Sequence, residues 1–159
     1  MTIGNEGYLF ANIDCPGNTG CDSDRFIEAL NWINHVLVSY PDRKVILATH
    51  DTWGLNPTKS KSHKIRDEVI FQHDNIVLTN AGHSMVREVN YIGNGPGGGV
   101  SNNFVTNYQW DKTEIMLLRF YVFKPLEDKV YFYTYSPITN EFEVDESSQG
   151  SFDLVQADP

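Results

Sequence analysis

Basic residues are scarce in this sequence: 12 lysines and arginines stand against 21 aspartates and glutamates, a formal net charge of -9 over 159 residues. Sequence-independent affinity for a phosphate backbone comes from clustered Lys and Arg, so the balance argues for no nucleic acid among its partners. The short basic clusters, Arg43-Lys44 and the lysines from Lys59 to Lys64, are too small to reverse it and read as solvated loops. An acidic protein acting on an anionic substrate needs a local positive centre, and bound divalent cations supply one where side chains do not.

Cysteine is nearly absent as well. Cys15 and Cys21 flank a Pro-Gly-Asn-Thr-Gly turn that could bring the sulfurs together, but their spacing matches no common zinc motif; a loop disulfide and two free thiols fit equally well. No apolar run approaches the roughly 20 residues of a transmembrane helix, so no membrane span is expected. The first seven residues have no basic start and lead into no long apolar run, so they do not read as a signal peptide. There is no Gly-x-Ser-x-Gly elbow, and neither cysteine has a histidine placed as its base, which counts against serine or cysteine catalysis. The glycine-rich run from Gly93 to Gly99 lacks the Lys-Ser/Thr of a phosphate-cradling loop and reads as a flexible connector.

Apolar content is ample. At 40% hydrophobic and 13% aromatic the chain can bury one good core, which fits a single domain or a large piece of one. The first part alternates strand and helix signals. Residues 8–13 read as a strand, and a helix capped by Ser23 or Asp24 carries Phe26, Leu30, Ile33 and Leu37 at helical spacing and stops before Pro41. Residues 44–49 form a buried strand, Ile65, Val69 and Ile70 mark a second helix ending near His73, and residues 76–79 repeat the buried-strand pattern. This β-α-β-α-β order (residues 1–85) predicts a parallel sheet with right-handed crossovers. From residue 100 to 155 the pattern predicts strands without helices, read as an antiparallel meander with turns at Lys124-Pro125-Leu126-Glu127-Asp128 and Ser136-Pro137-Ile138-Thr139-Asn140.

Two histidines lie just past strand ends: His50 closes Val45-Ile46-Leu47-Ala48-Thr49, and His83 closes the run that begins at Ile76. In a parallel sheet both emerge on the carboxyl edge together with Asp14, where open α/β folds put their ligands. Two such loops can converge on one ion, although a single histidine there more often caps a strand or serves a turn. His35, His63 and His73 fall within or beside the helices and read as surface or partly packed residues.

Taken in order, the strand ending Ala11-Asn12-Ile13-Asp14, the helix with Trp32-Ile33 and the following Tyr40-Pro41-Asp42-Arg43, the His50 and His83 strands, then Asn107-Tyr108-Gln109, Leu118-Arg119-Phe120 and Thr134-Tyr135-Ser136-Pro137 resemble the C-terminal half of the calcineurin-like metallophosphoesterases, especially the larger bacterial members. The resemblance covers nearly the whole chain. It implies the C-terminal part of a four-layer α/β/β/α sandwich and a phosphoester substrate. It also implies two divalent metal ions (Mn, Fe, Zn or similar) that activate a bridging hydroxide for attack on phosphorus. Carried over, His50 matches the isolated histidine ligand of the second metal and His83 the first histidine of a Gly-His-x-His motif, with Gly82 giving that turn backbone freedom.

The chain departs from that pattern twice. Met85 stands where the motif's second histidine belongs, and a thioether is a poor ligand for the harder ions. The family's Asp-x-His, Gly-Asp-x-x-Asp and Gly-Asn-His-Asp/Glu motifs, which supply most ligands, do not occur; residue 1 falls shortly after the last of them. Two histidines hold a divalent ion only weakly, since such sites need three or four protein ligands; within this chain Asp51 or Asp14 could reach a metal, although an aspartate after a strand is far more often a turn or N-cap residue. The expectation is therefore the C-terminal segment of a phosphoester hydrolase that is inactive without the N-terminal half of its domain. The alternative is a non-catalytic metallophosphoesterase-like module that binds a protein or glycan, which Met85 favours. A chain lacking half its domain is expected to expose sheet edges, through which it could form a homodimer. For a secreted or periplasmic product, an export signal would lie ahead of residue 1.

Overall fold

The computed structural model describes residues 2–3, 6–14, 23–50, 63–82, 88–97, 99–106, 108 and 116–154. Among the described residues, ten strands and two helices make a mixed α/β structure. The strands are β1 (Thr2–Ile3), β2 (Glu6–Asn12), β3 (Lys44–Ala48), β4 (Ile76–Ala81), β5 (Glu88–Asn94), β6 (Val100–Thr106), β7 (Leu118–Lys124), β8 (Lys129–Ser136), β9 (Glu141–Phe142) and β10 (Gln149–Asp153). The helices are α1 (Asp24–Ser39) and α2 (His63–Glu68), and a 3-10 turn at Ile70–Gln72 follows α2.

Helix α1 forms where the apolar spacing places it. Ser23 is its N-cap, its hydroxyl accepting from the Phe26 amide at 3.3 Å, and Phe26, Leu30, Ile33 and Leu37 form its buried stripe. That stripe, with Ile65, Val69 and Ile70, packs on Val45, Leu47 and Ile76 of the sheet beneath. At α1's end Asn75 donates to the Leu37 and Tyr40 carbonyls at 3.2 and 3.1 Å, which ties the start of β4 to the helix terminus.

The first sheet has the order β1-β2-β3-β4-β6-β5. Strands β2, β3, β4 and β6 run parallel, and β1 and β5 flank them antiparallel. The parallel run β2-β3-β4 is the one expected, with one irregularity: the β3–β4 register shifts between Val45 and Ile46, pairing Val45 with Ile76 but Ile46 with Leu78. The extra residue, Val77, joins Leu78 in the core on the far side of the sheet.

Strand β6 corrects the meander reading. It lies in the first sheet, parallel to β4, and reaches that place through a hairpin with β5, a strand the sequence reading did not anticipate. Its alternation is polar on the helix side, where Thr79 donates to Asn103 at 2.6 Å and Asn103 donates to the Ser101 carbonyl at 3.0 Å. A buried strand whose inward residues satisfy one another looks solvent-facing in sequence.

The glycine-rich turn of that hairpin is not a free connector. The Asp74 carboxylate accepts from the Gly97 amide at 2.9 and 3.1 Å and from the Gly99 amide at 3.0 Å, and Gly95 donates to the Gly99 carbonyl at 2.8 Å. A Cβ at Gly99 would overlap the Asp74 backbone, so the glycine is there for close approach.

The second sheet is the antiparallel part of the expectation: β10-β8-β7 with β9 also on β8. Its turns fall where expected, with Asp128 and Asn140 in the left-handed region at φ 51 and 58. Strand β8 alternates Val130, Phe132, Thr134 and Ser136 inward. Val130, Phe132 and Phe123 meet Tyr8, Val77, Leu78 and Phe104 of the first sheet, giving an order of helix layer, sheet, sheet among the described residues.

Candidate functional site at the carboxyl edge

Parallel pairing in register aligns three strand ends. Asn12 of β2 pairs with Ala48 of β3, and Ala48 with Asn80 of β4. Beyond the strands the alignment continues through backbone hydrogen bonds: Ile13 N–H to Ala48 O at 3.1 Å, Thr49 N–H to Asn80 O at 3.0 Å, and Gly82 N–H to His50 O at 2.9 Å. The last of these joins the two segments that carry the candidate histidines, so His50 and the residue before His83 are bonded neighbours.

His50 is exposed, as is Asp14 at the end of β2. Gly82 is half-buried, and its requirement differs from the one expected: φ lies outside the left-handed region, and a Cβ would stand 3.3 Å from Thr106 O and 3.8 Å from His50 O. Room between β3, β4 and β6, rather than turn freedom, calls for glycine there. His83, Asp51, Met85, Cys15 and Cys21 lie outside the described residues.

The second sheet comes up against this edge. The Tyr121 hydroxyl donates to Asn80 Oδ1 at 3.4 Å. Arg119, one strand step nearer the edge, lays its guanidinium 5.6 Å over the Phe104 ring and 5.2 Å over Phe132. It donates to Thr134 Oγ1 at 3.2 and 2.9 Å and to the Ser147 carbonyl at 2.6 Å, and the Tyr108 hydroxyl lies 3.1 Å from the same Thr134 oxygen. One arginine thereby binds β7, β8 and the turn before β10 together. Nothing in the spacing of the sequence marks Asn80 or Tyr121 as site residues, and Arg119 shows only as part of the resembling Leu-Arg-Phe triplet.

No cluster of three or more His, Cys, Asp or Glu side chains that could hold a metal occurs among the described residues. The described donor set at the edge thus supplies His50 and no complete divalent site, which normally takes three or four protein ligands. Of the remaining histidines, His73 follows the 3-10 turn, ahead of β4 and away from this edge. Its Nε2 lies 2.7 Å from Asn34 Oδ1, and burial pulls its pKa below the ordinary value, partly offset by Asp74. Cavities of about 290 Å³ beside Phe104 and Phe152 and about 270 Å³ beside Pro41 and His73 have neither His50 nor Gly82 in their walls.

Among curated proteins, the chain is similar to the uncharacterized protein YvnB of Bacillus subtilis (strain 168), 29% identical over 121 residues that cover 72% of this chain. The chain spans only 9% of the length of that relative. No protein-family model and no solved structure matches the chain.

Proposed function

We propose that this chain is the C-terminal segment of a metal-dependent phosphoester hydrolase of the calcineurin-like kind. In this reading it supplies His50 and His83 as ligands to a two-metal centre whose other ligands come from an N-terminal half of the same domain. One observation carries the reading: the Gly82–His50 backbone bond brings together, at the carboxyl edge of a parallel sheet, the two segments that the resemblance marks as ligand loops. The helix layer and two face-packed sheets fit three of the four layers of the sandwich that the resemblance implies.

Divalent ions would supply positive charge at the edge of this acidic chain and would lower the pKa of a bound water. The described residues do not fit a complete centre, so no chemical step is assigned to this chain alone. Its own contribution is to hold ligands on rigid strand ends, with Arg119 and Tyr121 locking the second sheet behind them. Met85 favours a second reading, a non-catalytic module.

Titration of the chain with Mn²⁺, followed by paramagnetic broadening of histidine ring signals, separates the readings. The ligand reading expects weak binding that broadens His50 and His83 before His35 and His73. Uniform broadening, or none, would rule out the ligand assignment.

A further inference from the structure

The two sheets part along one side, where the edge strands β5 and β10 face each other. The cavity of about 290 Å³ lies there, walled by Ile92, Asn102 and Phe104 of the first sheet and by Phe132, Ser151 and Phe152 of the second. Phe104 meets Phe132 and Phe152 with ring centroids 4.8 and 5.6 Å apart and planes tilted by 59° and 38°. The Arg119 guanidinium holds Phe104 and Phe132 in place, so two of the three rings are fixed before anything binds. Asn102 is half-buried on the same face of β6 as Phe104, and its carboxamide has no hydrogen-bond partner among the described residues. None of the described wall residues is charged.

We infer that this cavity is a binding site for a neutral sugar, one pyranose ring of a glycan. A cavity with mostly apolar walls and few polar groups, close to the roughly 300 Å³ lower limit of small-molecule sites, has room for a single ring. The tilted phenyl rings leave no parallel slot for a flat heteroaromatic ring, but they offer splayed faces whose negative quadrupole attracts the polarised C–H groups of a pyranose. Asn102 brings both a donor and an acceptor, which hydroxyl groups match. A purely aliphatic ligand would leave that carboxamide unpaired, and a charged one would be desolvated with no partner on the wall. The site is also separate from the place of an N-terminal half. Phe123 of β7 packs on Tyr8, while Phe10, on the same face of β2, is 55% exposed. Space for further strands therefore lies beside β7, on the far side of the second sheet from β10, and a helix layer on that sheet's outer face leaves the cavity open as well. The inference thus stands whether or not the chain belongs to a hydrolase.

Nuclear magnetic resonance on the purified chain tests it, with the methyl β-pyranosides of glucose, galactose, mannose and N-acetylglucosamine as probes and adenosine and hexanol as the flat and aliphatic comparisons. At least one pyranoside should bind with a dissociation constant of about 1–10 mM and shift the Asn102 carboxamide and Phe152 ring signals. Asn102→Leu, which keeps the bulk and removes the polar group, should weaken that sugar at least about tenfold while the melting curve stays cooperative. Phe152→Leu, which removes a ring face, gives a loss independently should the first variant fail to fold. No pyranoside binding at about 20 mM, tighter binding of adenosine or hexanol than of any sugar, or sugar binding unchanged by both substitutions would overturn the proposal.

Discussion

Asp74 clamps the β5–β6 hairpin to the start of β4, and its removal gives a sharp prediction. In Asp74→Ala two amides lose a carboxylate acceptor: Gly97, which is exposed and can turn to water, and Gly99, which is buried and cannot do so easily. A hydrogen bond to a charged group contributes about 1.5–3 kcal/mol when shielded, and the exposed bond contributes less than about 1 kcal/mol. The expected loss is therefore about 2–3 kcal/mol, or about 4–10 °C in Tm for a domain of this size. Asp74→Asn keeps Oδ1, which accepts from both glycines, and should lose about half as much. Urea unfolding gives the energies, and amide exchange at Gly99 locates them. A loss below about 0.5 kcal/mol in the alanine variant, or an asparagine variant as damaging as alanine, would refute the clamp.

Further outcomes follow from single sites. Leu47→Ala, at a fully buried position between β3 and the helices, should cost about 3–4 kcal/mol in urea unfolding. Arg119→Met removes the donors to Thr134 and Ser147 while keeping the apolar stem, and should cost about 2–3 kcal/mol; Arg119→Lys should recover little, because one ammonium cannot span both acceptors from its place over two rings. His73 has a folded pKa below its unfolded value, so the unfolded chain takes up its proton first as pH falls. Its contribution is complete above about pH 6.5 and is lost as pH drops through the folded pKa. Unfolding free energy measured from pH 7.5 to 5 should decline, and His73→Gln should flatten that decline.

Much of the first sheet could be read directly, because its strands and helices differ in period. Phe26, Leu30, Ile33 and Leu37 recur at helical spacing, while residues 44–48 are short, apolar and bounded by turns. Strands β5 and β6 broke the rule. Ser101, Asn102 and Asn103 look solvent-facing until Thr79, 24 residues earlier, is seen to satisfy Asn103. The Asp74 clamp was equally hidden, since its partners lie 23 and 25 residues downstream and an aspartate before a strand suggests only a turn. At the candidate site, the strand-end positions of His50 and Gly82 follow from chain order and parallel pairing. What periodicity could not give was the approach of the second sheet, where Tyr121 meets Asn80 across 41 residues of sequence. The reason for Gly82 was also beyond it, because steric room beside Thr106 is a tertiary property.

The proposed role of His50 and His83, as ligands of a phosphoester-cleaving metal centre completed by an N-terminal half, can be decided by hydrolysis of an aryl phosphate with Mn²⁺, using the native protein captured from its source by an antibody against this chain. The account predicts turnover that EDTA abolishes and Mn²⁺ restores, with His50→Ala and His83→Ala, introduced in the source gene, each reducing kcat at least about a hundred-fold. Full activity in the His83→Ala protein, or no metal-dependent hydrolysis by the captured wild type, would contradict it.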